Sequence, residues 1–344
     1  MKIIIRNCNV AELDIPLKYA TKLYNEFAIR HPNAFYLRTR QRGMQNWDGK
    51  IKYITKTGQF KIGLLPSVYK RCIELGIKPI IVDMRQSLPK VSKVVTQIGK
   101  YKLRPEQEKA VKSVINNRVG DIPFQIGVLD LTVNFGKTLI MTSLYLSYKK
   151  QLKTLLITND SDWLNQARDE FKQYLPGEDI TFVQGKVLNW SNFTIGMVQS
   201  ISRNMRYYQN ELAKIDMVLI DEADQGGSKQ YQNVITRLFN TRVRIGLSGT
   251  IYMSKLAKDK VKNMNLRCFF GDVIAEFKLK DSIKKGYSTK TIVKTVEGKP
   301  WFGNWESDCM SYNEIYDDSI THNKIAWTMA LDRLKWNLNQ GRYP

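Results

Sequence analysis

Cysteine and histidine are scarce in this chain: its 344 residues include four cysteines and two histidines. Cys8, Cys72, Cys268 and Cys309 lie far apart, with no CxxC spacing and no histidine cluster beside them. That excludes a zinc site and a disulfide framework, and it leaves reduced thiols of a cytosolic compartment. Acidic residues are also few, 32 against 54 lysines and arginines, for a formal net charge of +22. No apolar run has the length of a membrane span. The opening MKIIIRNCNVAELD is too short and too broken by charge for a signal peptide. The expected location is therefore cytoplasmic, the host cytoplasm for a phage-encoded chain. A charge excess of this size calls for a polyanionic partner. Nucleic acid fits better than a membrane surface, because no basic amphipathic anchor stands out. The competing reading is a basic protein with no specific partner. No internal repeat or low-complexity tract is visible, and the length allows about two to three domains.

What is present centres on residues 125–141, QIGVLDLTVNFGKTLIM. An apolar run leads into a short turn ending Gly136-Lys137-Thr138, and a second apolar run with helical character follows. Phosphate is compact and highly charged. The first turn of a helix offers it unpaired N–H groups and a positive dipole end. Gly136 permits close backbone approach, Lys137 can reach terminal phosphates, and the Thr138 hydroxyl can ligate magnesium. The full phosphate-loop pattern wants a further glycine where this chain has Leu131, so a chance Gly-Lys-Thr at a helix start competes. A second stretch, IDMVLIDEAD at residues 215–224, places Asp221 and Glu222 at the carboxyl end of a buried-strand run. In open α/β sheets ligands collect there. An aspartate so placed can hold magnesium, and a neighbouring glutamate can orient and deprotonate water. An acidic turn after a strand is common alone, but the two stretches together point to a nucleoside triphosphatase using ATP and Mg2+.

In chain order, the boundaries expected are a small α+β nucleic-acid-binding domain at residues 1–90, a linker at 91–100, a motor domain at 101–290 and a connector at 291–344. The first of these begins as a strand, and helical periodicity covers residues 16–29. Residues 35–53 interleave aromatics with arginine and lysine. Asp48-Gly49 reads as a hairpin turn between two β-prone runs. Alternation puts Arg38, Arg40 and Arg42 on one face of an extended strand. With Trp47, Lys50 and Lys52 they form a candidate DNA-contacting surface, cations for phosphates and rings for unpaired bases. The competing reading is a twisted hairpin with core aromatics and solvated charges. A second helix and a strand start fall in 64–80, and 89–100 is polar and basic. In the larger domain, Gln107 opens an amphipathic helix just before the phosphate-loop strand, where its amide can read adenine bidentately. Strands are expected at 154–158, 179–183, 193–198 and 242–250, with a helix at 162–174. A mixed-strand stretch at 277–296 and a helix-like run at 322–338 follow. Strands alternating with helices predict a doubly wound parallel sheet.

The order of these stretches resembles the first motor domain of superfamily 2 helicases, in particular the branch-migrating helicases of phage recombination. The resemblance covers nearly the whole chain. It implies a RecA-like P-loop fold. Arg104 and Gln107 are similar to the adenine-reading motif. Residues 131–138, with Asn134 and Phe135, resemble motif I. Residues 157–166 are placed like motif Ia, and 196–200, with Gln199 on the nucleic-acid side, like motif Ib. Residues 221–224 match motif II. Ser248 and Thr250 match motif III which, with Asp224, would couple hydrolysis to DNA movement. It further implies ATP-dependent helicase or translocase activity on branched DNA in recombination, repair or fork processing, with recombination or replication proteins as further partners. Leu131 and Asn134 depart from the small residues of many relatives. No arginine-rich motif of a second motor half is found, so the chain is expected to carry the N-terminal part of such a helicase or a variant without that half. Two other readings stand beside this one. One is a nucleotide-gated DNA-binding accessory protein. The other is a restriction-enzyme motor, disfavoured because no nuclease-like acidic cluster precedes the motor.

Overall fold

The runs Ile126–Leu131, Thr154–Thr158, Met217–Asp221 and Val243–Ser248 are buried along their whole length. Near-continuous apolar strands of this kind belong to sheets covered by helices on both faces. The computed structural model describes residues 1–40, 43–185, 189–252, 257–289 and 324–339, and pairs seven strands into one sheet. All of its pairings are parallel. The spatial order is Ile180–Val183, Phe193–Met197, Thr154–Thr158, Met217–Asp221, Val243–Ser248, Ile126–Leu131 and Val273–Phe277. The strand leading to Gly136 and the strand ending in Asp221 therefore flank the strand ending in Ser248. Three stretches far apart in sequence share one edge of the sheet. The expected doubly wound α/β, RecA-like fold is what the chain adopts.

Pro105–Ile115, Lys137–Ser147 and Ser161–Tyr174 supply apolar residues to the core on one face of this sheet. The core on the other face is shared. Val128, Leu155 and Ile220 of the large sheet cluster with Ile3, Ile5, Leu64 and Val68 of the N-terminal region. That region has its own four-stranded sheet, in the order Gln59–Lys61, Val10–Asp14, Lys2–Ile5 and Ile80–Asp83. Residues 1–289 form one compact unit. The polar stretch expected as a linker is tied down: the Val95 N–H donates to Ser147 Oγ (3.0 Å) and Ser143 Oγ donates to the Val95 carbonyl (2.6 Å). The second unit, residues 290–344, is described through one helix, Lys324–Asn339. The expectation for 277–296 is half redrawn: a strand at Val273–Phe277 and a helix at Leu279–Lys284, the remainder beyond 289 lying outside the described residues.

The segment around residue 40 corrects the sequence reading. Ala34–Arg40 is a helix, not a strand. Residues two apart on a helix lie about 200° apart around its axis, so Arg38 and Arg40 do not share a face. Arg42 lies outside the described residues. The alternation was too short to outweigh local helix formers, and among the described residues no strand pairs with it. Asp48-Gly49 does turn the chain, with Gly49 at φ 76°, but it does not join two paired strands. It leads into Lys50–Lys52, which pairs antiparallel with Ala28–Arg30. A Cβ on Gly49 would lie 3.0 Å from the Cβ of Ala34, so the turn is packed on the helix.

Candidate nucleotide-binding site

The turn after Ile126–Leu131 is held from several sides. The Thr132 N–H donates to the Phe277 carbonyl at 3.0 Å, fixing the first residue beyond the strand. Asn134 and Gly136 take left-handed conformations, φ 61° and 82°, and Gly136 caps the helix Lys137–Ser147. Asparagine is among the few side chains that tolerate this region, which explains its use here in place of a glycine. Leu131 is buried as the last strand residue. The close approach at this end belongs to the neighbouring strand, where a Cβ on Gly249 would come 3.0 Å from the Leu131 carbonyl.

Arg104 and Gln107 brace the loop. Both Arg104 Nη2 and Gln107 Nε2 donate to the Phe135 carbonyl at 2.7 Å. Gln107 is buried, and its Oε1 accepts the Arg104 N–H at 2.8 Å, the glutamine half of a capping box. A primary amide has two N–H donors and two acceptor lone pairs, so one of each remains on Gln107. A Cβ on Gly136 would meet Gln107 Nε2 at 2.6 Å, so only glycine lets the loop lie against this amide. The Arg104 guanidinium lies 4.3 Å over the Tyr287 ring and 5.4 Å over Phe135.

Lys137 Nζ sits 3.4 Å from Asp221 Oδ1 and 3.2 Å from Glu222 Oε1. The three side chains come from two strand ends that are not adjacent in the sheet. Asp221 is buried, and burial pushes its pKa up, opposed by the Lys137 charge and reinforced by Glu222. Glu222 takes φ 50°, an uncommon conformation for a non-glycine residue. Ser248 Oγ donates to Asp224 Oδ1 at 3.2 Å and accepts the Thr250 N–H at 3.2 Å. The central strand thus links the acidic turn to Thr250.

These residues fit a triphosphate with magnesium. Lys137 is a cation already poised among carboxylates beside a helix start, and it can exchange them for phosphate oxygens. Among the described residues no group of three or more histidine, cysteine, aspartate or glutamate side chains could hold a metal alone. Thr138 and Asp221 would share magnesium with phosphate oxygens and water, the usual way this ion is bound.

The candidate nucleic-acid residues are not brought together as one face. Arg38, Arg40 and Lys50 are exposed. Lys52 pairs with Asp48 at 3.2 Å and lies over the Tyr24 ring. Trp47 donates through Nε1 to the Lys50 carbonyl at 3.0 Å and meets His31 edge-on. Gln199, on the helix Val198–Arg203, donates to the Asn159 carbonyl at 3.2 Å and so joins two loops at the carboxyl edge. Sequence reasoning missed Tyr231. Its buried hydroxyl has no hydrogen-bond partner, and burial, then Asp221, Asp224 and Glu222, push its pKa up. It also missed Lys278, which pairs with the buried Asp130; a charge inside an apolar strand was the available signal.

Fold and site together define a RecA-like, phosphate-loop domain. The relatives it matches are named as helicases. Residues 100–253 match the family model described as the res subunit of type III restriction enzymes. The ATP-dependent DNA helicase UvsW of Enterobacteria phage T4 is 21% identical over 273 residues, 73% of this chain and 51% of that protein. A protein of Acanthamoeba polyphaga mimivirus named as an ATP-dependent RNA helicase is 25% identical over 147 residues, 42% of this chain and 27% of its own length. The chain therefore spans about half or less of these relatives. A crystal structure of the T4 UvsW helicase superposes with a TM-score of 0.62 at 20% identity, covering 79% of this chain and 99% of that one. A second UvsW structure gives 0.61 at 20% identity, covering 79% of this chain and 56% of that one.

Proposed function

We propose that this chain binds ATP with magnesium and hydrolyses it as part of an ATP-dependent DNA helicase or translocase acting on branched DNA in recombination, repair or fork processing. The observation that carries the reading is the placement of Lys137 between Asp221 and Glu222 at the carboxyl edge of the parallel sheet. Lys137 would move onto the terminal phosphates and release both carboxylates. Bound magnesium would neutralise charge developing on the transferred phosphoryl group. Glu222, left free, would take the proton of the attacking water. Arg104 and Gln107 would select adenine through the one donor and one acceptor that Gln107 keeps. Asp224, Ser248 and Thr250 would pass the state of the acidic turn to the DNA-contacting loops. Full turnover would require arginines from a second motor domain, a contribution worth on the order of a thousandfold or more.

Support for DNA comes from the charge of +22 and from the T4 relative being a DNA helicase. The test is ATP hydrolysis by this chain, alone and with single-stranded, duplex and branched DNA and with RNA. Stimulation greatest with branched DNA is expected. Binding of ATP and DNA without any hydrolysis would instead make the chain a nucleotide-gated binding module, and stimulation by RNA alone would move the reading to RNA.

A further inference from the structure

A second cluster of buried charge lies at the opposite edge of the large sheet, where its strands begin. Asp83 closes the strand Ile80–Asp83 of the N-terminal sheet. It accepts from Arg85 through Nε and Nη2, both at 2.8 Å, and from Arg242 Nη1 at 3.2 Å. Arg244, wholly buried two residues further on, donates to the carbonyls of Cys8 and Phe269 and to Asn9 Oδ1, while its Nε has no hydrogen-bond partner. Arg85 and Arg242 thus share one acid. Burial lowers the pKa of Arg242, and the neighbouring Arg85 charge lowers it further. Burial is also the main cause that lowers Arg244 to about 10.

Arg85, Arg242 and Gln125 line a cavity of about 520 Å³ at the edge where the strands of the large sheet begin. The Arg85 and Arg242 side chains are 1% and 8% exposed. Gln125 is 3% exposed. Each has a buried polar atom without a hydrogen-bond partner: Arg85 Nη1, Arg242 Nε and Gln125 Oε1. The Gln125 Nε2 is already spent on the Ile115 carbonyl at 3.0 Å, so the amide orientation leaves its oxygen free. Leu88, Val91 and Ile115 give the same cavity an apolar wall. Uncompensated buried charge is costly, and unpaired buried donors and acceptors add to that cost. Guanidinium donors suit phosphate in particular.

From this donor set we propose that the cavity binds a phosphate monoester of mononucleotide size. The phosphate would lie on Arg85 and Arg242, the organic part against the apolar wall, and an N–H or O–H of the ligand would donate to Gln125 Oε1. Gln125 immediately precedes the phosphate-loop strand, whose six residues separate this site from the loop by roughly 20 Å. It is therefore distinct from the site of Lys137 and does not depend on the reading given to that site. The same chemistry could be offered by a free mononucleotide or by the 5′-terminal nucleotide of a nucleic-acid strand.

The test uses the full chain carrying Lys137→Ala, so that the phosphate loop does not compete, with AMP as probe and adenosine as its phosphate-free control in titration calorimetry. Saturable binding of AMP and at least about tenfold weaker binding of adenosine are expected. Arg85→Gln should weaken AMP by about tenfold or more. Asp83→Asn, which removes the competing carboxylate, should tighten it several-fold. If Arg85→Gln fails to fold, the Asp83→Asn result decides alone. Competition of AMP by a 5′-phosphorylated oligonucleotide but not by its 5′-hydroxyl form would assign the ligand to a strand end; competition by neither would assign it to the free mononucleotide. Absence of saturable AMP binding, or AMP affinity unchanged by Asp83→Asn, overturns the proposal.

Discussion

The carboxyl edge of the parallel sheet and the segment from residue 34 to 52 were equally conspicuous in the sequence, yet they translate into structure very differently. At the sheet edge each chemical residue follows a strand of five or six buried residues. Parallel pairing then forces the strand ends into register, and Lys137, Asp221 and Ser248 converge although they are far apart in sequence. In the segment 34–52 the pattern is short and half exposed, so local helix propensity and a single glycine contact decide the conformation. Long buried strands transmit sequence to geometry; short exposed alternation does not.

The largest expected effect tests the first half of that contrast. Glu222→Gln keeps the shape of the acidic turn and removes only the base, so hydrolysis should fall by about 10²- to 10⁴-fold while ATP binding is retained. Single-turnover hydrolysis beside equilibrium nucleotide binding checks this. Loss of binding in step with hydrolysis would mean that Glu222 holds the loop rather than acting on water.

The next effects concern the 34–52 segment. Three arginines on one strand face would have made a continuous phosphate track. On the helix Ala34–Arg40, only one of Arg38 and Arg40 can face a given backbone. The double exchange Arg38→Gln with Arg40→Gln should therefore lower the salt slope of duplex binding by about one unit, not two. Trp47→Ala should lower the melting temperature and weaken all DNA forms alike, because the ring is committed to Lys50 and His31. A selective loss of about 1–3 kcal/mol for single-stranded DNA would return Trp47 to base stacking.

Gln107 tests how far a buried brace can also be a reader. Gln107→Ala should reduce the preference for ATP over GTP by about tenfold, measured by competition binding, if its remaining donor and acceptor meet adenine. An unchanged preference would leave Gln107 as a support of the Phe135 carbonyl alone. The smallest effect is on stability. The pKa of Asp221 is raised in the folded chain, so the ionised carboxylate opposes folding: the neutral form is favoured at low pH, and that contribution is lost as pH rises through the raised value. At neutral pH, Asp221→Asn should raise the melting temperature of the nucleotide-free chain by on the order of 1–3 °C while abolishing hydrolysis.

The parallel sheet, the phosphate loop and the acidic turn were legible because apolar runs and turn chemistry act locally and the sheet does the rest. The Ser161–Tyr174 helix was legible within one residue for the same reason, since Asp160 caps it through the N–H groups of Asp162 and Trp163. The shared core of the two sheets was not, because Val68 and Val128 join one cluster only through tertiary packing. Nor was the cluster at Asp83, whose Arg242 and Arg244 fall within the strand expected at 242–250. Their burial depends on residues more than a hundred positions away in the chain.

The central claim is that Lys137 leaves Asp221 and Glu222 for the phosphates of ATP. Equilibrium binding of magnesium–ATP to the parent chain, to Glu222→Gln and to Lys137→Ala tests it most directly. The account predicts comparable binding by the first two and a loss of at least about a hundredfold for Lys137→Ala. Equal affinity for ATP in Lys137→Ala and the parent would contradict it.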